Sequence, residues 1–143
     1  MGYTHYWYKE KELDSQKWSD FTKDTTAIIN ETTELCWESD QLDRKPEITD
    51  EIIRFNGKSD GGHETFYFTR VEIEKDKAFV ATDEDGKYFN FCKTARKPYD
   101  KYVVAILHLA KRHFGDKIYL ASDGKDSELK EGIELIEKTF SGD

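Results

Sequence analysis

The sequence predicts an α+β fold: a single domain with an antiparallel or mixed sheet and about three helices largely on one face. Three observations predict it. Short runs rich in aromatic and β-branched residues cluster mid-chain, in EIIRFNG, ETFYFTR and KAFVATDEDGKYFNFCK. Helical patterns stand before and after that cluster instead of alternating with each strand, which argues against a doubly wound parallel sheet. Finally, 143 residues with 14% aromatics suffice for one core, because each buried ring removes a large area from water. The chain shows no internal repeat and no second domain.

The elements follow in order. YTHYWY, residues 3–8, reads as a strand, with Tyr3, His5 and Trp7 on one face and Thr4, Tyr6 and Tyr8 on the other. Asp14 or Ser15 caps the next segment. There Trp18, Phe21, Thr25, Ile28, Ile29 and Leu35 recur at helical spacing, predicting an amphipathic helix from residue 15 to about 35. WESDQLDRKPE is polar and holds one of the two prolines, so it is a loop. EIIRFNG and ETFYFTR read as paired strands joined by the flexible GKSDGGH, and VEIE continues the second or begins another. KAFVATDEDGKYFNFCK reads as a hairpin with DEDG as its turn. Pro98 suits the first residue of a helix and Gly115 its stop. Between them Tyr102, Val103, Ile106, Leu107, Leu109 and Ala110 cover most of the circumference, marking a central helix. KIYLASDG is a last short strand, and residues 126–140 form a final helix.

Composition limits the function. A net charge of -8 disfavours binding to duplex DNA, which needs a broad basic face to displace counterions. No apolar run approaches the length of a membrane span, and the first residues lack a signal-peptide core. The two cysteines, Cys36 and Cys92, have no metal-type spacing and make too small a framework for a disulfide scaffold. The expectation is a cytoplasmic protein with no metal and no cofactor. A homo-oligomer stays open.

Against that acidic background, FNFCKTARKPYDKY gathers Lys93, Arg96 and Lys97 within five residues, where a strand runs into the central helix. A helix N-terminus presents unpaired N–H groups and partial positive charge, so it favours anions. Thr94 adds a hydroxyl, and Arg96 can hold a phosphate or carboxylate with two parallel hydrogen bonds. The glycines of a Walker loop are absent, and three residues between Cys92 and Arg96 are too few for a tyrosine-phosphatase loop. The competing expectation is that these bases are solvated or pair with Asp100, Asp83 or Asp85.

Other candidates are more scattered. With Ile53 and Phe55 facing the helices, Arg54 and Asn56 project from the opposite side of the sheet and can clamp a polar ligand. Tyr6 or Trp7 can stack on a base. His63, at the end of the glycine loop, is a candidate acid or base with Glu64, although adjacent strand residues point to opposite faces. His108 and His113 are five apart, not the four that places two metal ligands on one helix face. Their spacing and that of SDG, residues 122–124, supply no Ser–His–Asp arrangement.

The segments MGYTHYW, IRFNG, HETF, FCKTARKPYD, HFGD and SDG together resemble a family of small uncharacterised proteins of phage genomes and related bacterial sequences. The resemblance spans residues 1 to about 124. It implies a phage or prophage setting, hence the host cytoplasm, and brings no catalytic residues with it. KSDGGH and VEIEKDKAFVATDEDGKY match none of its motifs. Phage accessory proteins of this size often neutralise host defences, some by trapping nucleotide signals.

The expectation is therefore a protein that binds a small phosphorylated, nucleotide-like ligand. Lys93, Thr94, Arg96 and Lys97 would hold its anionic groups, Arg54 and Asn56 its polar ones, and Tyr6 or Trp7 its base. Two alternatives stand beside it. One is a phosphodiesterase or hydrolase with His63 or His5 as general acid/base. The other is an acidic inhibitor that binds a host protein.

Overall fold

The computed structural model describes residues 3–72 and 86–140. Among these residues, three α-helices and seven strands form an α+β fold with two antiparallel sheets. The first sheet places β1 (Thr4–Lys9) between β6 (Tyr88–Lys93) and β7 (Ile118–Ser122). The second is built around β4 (Ile52–Gly57), which pairs with β2 (Leu35–Cys36), β3 (Glu47–Ile48) and β5 (Phe66–Thr69). The expected single sheet is thus two: the expected pair EIIRFNG and ETFYFTR forms β4 and β5, and the strands Leu35–Cys36 and Glu47–Ile48 that join them are too short to show any periodicity.

Helix α1 (Ser15–Ile29) begins at Asp14, whose carboxylate accepts the Lys17 N–H at 2.9 Å. It buries Trp18, Phe21, Thr25, Ile28 and Ile29. The chain leaves it at Asn30, short of the expected end near residue 35, and Leu35 instead enters β2. Helix α2 (Asp100–Phe114) is buried nearly all round, packed against α1 on one flank and α3 (Asp126–Phe140) on another. Pro98 stands two residues before α2 rather than at its first position. Gly115 ends α2 with φ 57, a left-handed conformation that glycine adopts without a Cβ clash. Gly132 lets α3 approach α2 closely: a Cβ there would lie 2.6 Å from Val104 Cβ.

One aromatic seam joins both sheets to α1. Trp7 of β1 stacks on Phe68 of β5 at 5.7 Å, and Phe68 stacks on Trp18 of α1 at 5.9 Å. The helices and the second sheet therefore cover one face of the β6–β1–β7 sheet. The alternation read from YTHYWY holds: Tyr3, His5 and Trp7 point inward, while Tyr6 and Tyr8 sit half-exposed on the outer face. Of the expected KAFVATDEDGKYFNFCK hairpin, Tyr88–Lys93 is β6, while its first strand and most of its turn lie outside the described residues.

Candidate functional site

MGYTHYW, FCKTARKPYD and SDG are far apart in sequence but meet at one end of the β6–β1–β7 sheet. Register places Thr4 opposite Lys93, and His5 between Cys92 and Ser122. After β6 the chain turns through Ala95 and Arg96, both left-handed at φ 52 and 55. Two consecutive non-glycine residues in that region cost on the order of 1–3 kcal/mol each, so the turn must be held. The Tyr3 carbonyl holds it, accepting the Thr94 and Ala95 N–H groups at 3.1 and 3.2 Å. The result is that Arg96 swings over the Tyr3 ring, 4.0 Å from its centroid, and pairs with Glu128 at 2.7 Å.

Beneath this turn lies a buried polar chain that the sequence did not disclose. His5, 2% exposed, meets Asp100 Oδ1 through Nε2 at 2.6 Å and Ser122 Oγ through Nδ1 at 2.8 Å. The Thr94 hydroxyl donates to the same Asp100 oxygen, and the Gly124 N–H donates to Ser122 Oγ at 2.9 Å. Asp100 accepts only, so His5 carries its proton on Nε2 and accepts the Ser122 hydroxyl at Nδ1. One direction of donation then runs from Gly124 through Ser122 and His5 to Asp100. Beside it, the Tyr3 hydroxyl is buried next to Ser122, with no partner in full hydrogen-bond geometry among the described residues. Burial, with Asp100 nearby, pushes that hydroxyl up to about 12.

Two hollows flank the chain. A cavity of about 170 Å³ reaches His5 and Ser122, walled by Val104 and Leu107 of α2, Leu120 of β7 and Leu129 of α3. His108 also lines it, and burial pushes its pKa down. The other hollow, about 390 Å³, is lined by Tyr3, Arg96, Lys97, Lys101 and three carboxylates, Asp100, Glu128 and Glu131. The Glu128 hydrogen bond raises the Arg96 pKa, and the same bond lowers that of Glu128.

The structure distributes the sequence-derived candidates unevenly. Lys93, Thr94, Arg96 and Lys97 share one turn, but the Thr94 hydroxyl is committed to Asp100, and α2 opens on that same acidic residue. Lys93 lies on the outer face, its Nζ 5.8 Å from the Phe91 centroid. Tyr6 stands on that face too, stacked on Phe89 at 5.9 Å. Trp7 is sealed in the core at 1% exposure and is not available to stack on a ligand. Asn56 is 2% exposed rather than projecting into solvent, because the GKSDGGH loop folds over it. Its amide donates to the His63 carbonyl and Thr65 hydroxyl and accepts the Gly57 and His63 N–H groups. Arg54 pairs with Glu38 at 2.8 Å and stacks on Trp37, which Arg44 also covers, each at 3.6 Å. His63 is exposed, and Glu64 turns away from it to accept the Lys93 N–H at 2.9 Å.

The outer face of the three-stranded sheet is aromatic. Rings of Phe91, Phe89, Tyr8 and Tyr119 follow one another at 5.8, 5.2 and 6.1 Å, with Tyr6 against Phe89. Phe91 is 46% exposed and Tyr119 58%. The described residues contain no cluster of three or more His, Cys, Asp or Glu able to hold a metal. None of their helices is long and apolar enough to cross a membrane. No protein-family model, no curated protein and no solved structure matches the chain.

Proposed function

We propose that the chain binds a small phosphorylated, nucleotide-like ligand across the outer face of the β6–β1–β7 sheet. The observation that carries this reading is the run of five rings with exposed Phe91 and Tyr119. A flat base gains stacking energy on such rings whatever its identity. Lys93 ends the row on β6, and the turn that follows carries Arg96 and Lys97. A phosphate at that turn competes with Glu128 for Arg96. Exposed ion pairs contribute roughly 0–1 kcal/mol, so displacing one costs little. The charge of -8 disfavours duplex DNA by repulsion but leaves room for one or two phosphates. The phage resemblance makes a nucleotide signal of host defence the ligand in view, held rather than turned over.

Titration calorimetry with mononucleotides and cyclic dinucleotides tests it. Binding is expected, weakened by Phe91→Ala by about 1–3 kcal/mol, the worth of one stacked base. Arg96→Ala should weaken it further and reduce its salt dependence. Affinity unchanged in Phe91→Ala, or no binding of any of these ligands, would sink the reading.

A further inference from the structure

We propose that Ser122, His5 and Asp100 form a nucleophilic hydrolytic centre that cleaves small uncharged esters in the cavity between β7, α2 and α3. This goes beyond ligand binding on the outer face and does not depend on it, because the cavity opens on the opposite side of the sheet.

Three features of the geometry point there. First, the nucleophile, the base and the group that orients the base lie in hydrogen-bond sequence, at 2.8 Å from Ser122 to His5 and 2.6 Å from His5 to Asp100. The nitrogens are exchanged relative to the familiar serine-protease order: the carboxylate holds Nε2 and the serine meets Nδ1. The chemistry needs only that one nitrogen accept while the other is fixed. Second, Thr94 donates to Asp100 and Gly124 to Ser122, so the carboxylate and the serine are each positioned by a further contact. A turn at SDG requires only the Ser122–Gly124 bond; it does not require an imidazole pinned at both nitrogens. Third, His5 and Ser122 both line the 170 Å³ cavity, whose other walls are mainly aliphatic. Such a space admits a short acyl chain and disfavours a charged one.

The reaction balances with water as the only co-reactant. Ser122 Oγ bonds to the ester carbonyl carbon as its proton passes to His5 Nδ1, and the carbonyl π pair moves onto oxygen. Collapse breaks the bond to the leaving alkoxide, which takes the proton from His5 Nδ1. A water then attacks the acyl-serine with His5 as base, releasing the acid and restoring Ser122. Asp100 keeps the proton on Nε2 throughout and acts as a positioning residue.

The test treats the whole chain with a fluorophosphonate probe, maps the adduct by peptide mass spectrometry, and follows hydrolysis of p-nitrophenyl acetate. The expected result is an adduct on Ser122 and turnover that falls to the uncatalysed background in Ser122→Ala. Asp100→Asn should lower kcat by about 100-fold with KM unchanged, since an amide donating to Nε2 puts the proton on Nδ1. Mapping the adduct in the wild-type chain needs no variant, so a Ser122→Ala protein that fails to fold leaves the test intact. No adduct on Ser122, labelling without turnover, or turnover that survives in folded Ser122→Ala would each overturn the proposal. None of these outcomes bears on calorimetric binding at Phe91.

Discussion

The inner row of β1 carries a buried polar side chain at each end, and the two are built differently. His5 and Lys9 are 2% and 0% exposed, and each meets one carboxylate, at 2.6 Å from Asp100 and 3.0 Å from Glu72. At the His5 end, hydroxyls and a backbone N–H complete the arrangement, and a cavity reaches it. At the Lys9 end, the ammonium faces Glu72 alone among the described carboxylates and lies 6.0 Å from the Phe68 ring centroid. Asn90 donates to the same Glu72 oxygen at 2.9 Å. Burial pushes the Lys9 pKa down against the pull of Glu72. The difference separates two uses of buried polarity. Lys9 is a charge enclosed by the fold; His5 is an imidazole with both nitrogens hydrogen-bonded and a cavity beside it.

Removing the two carboxylates should break the comparison most sharply. Glu72→Ala leaves Lys9 in the core with no counter-charge among the described residues, and stranding a buried charge costs about 3–5 kcal/mol. Urea denaturation should show that loss, and Lys9→Met in the same background should recover most of it, since a methionine fills the space without a charge. A Glu72→Ala protein as stable as the parent would mean that the Lys9 end is not the enclosed pair described here.

Asp100→Ala should cost less, about 1–3 kcal/mol, the range for leaving buried donors without an acceptor. It leaves the His5 Nε2–H and the Thr94 hydroxyl unsatisfied, but an imidazole has a neutral form, so no charge is stranded. It also removes the acidic residue from the first turn of α2. The same denaturation measurement ranks the two ends. Equal losses at Asp100 and Glu72 would show that the His5 end also holds a fixed charge.

How legible each end was in the sequence follows from what periodicity can report. The alternation in YTHYWY showed that Tyr3, His5 and Trp7 share a face, and the helical patterns located α2 and α3 to within two residues. The pairing of EIIRFNG with ETFYFTR was legible, but the two-residue strands β2 and β3 carry no period, so the rest of the second sheet was not, and Arg54 was assigned to an open face that Trp37 in fact covers. Asn56 looked like a ligand contact because nothing local shows that a loop will close over it. The His5 chain joins positions 95 and 117 residues apart, which no local spacing can reveal. One signal was present: a histidine between Tyr3 and Trp7 in the inward row of a strand must find partners for both nitrogens. SDG and KPYD, each at a turn between elements, were the segments able to supply them.

Alkaline pH should separate the ends by the smallest effect, one of sign. At the His5 end, Cys92 lies opposite His5, and burial pushes its thiol from 9.0 up to about 12; Tyr3 rises from 10.0 to about 12. These acids keep their protons in the folded chain at a pH where the unfolded chain has lost them. The stability they contribute is complete below 9.0 and is lost as pH climbs toward about 12. Lys9 works the other way. Its folded pKa lies below 10.5, so the unfolded chain binds the extra proton, and stability rises with pH up to 10.5. Just above pH 9.0 the contributions oppose each other, and the parent protein should lose stability only gently. Lys9→Met removes the rising contribution and should steepen the loss, while Cys92→Ala removes part of the falling one and should flatten it. Urea midpoints measured through this range decide the matter: parallel pH profiles for all three proteins would show that neither end titrates as its burial requires.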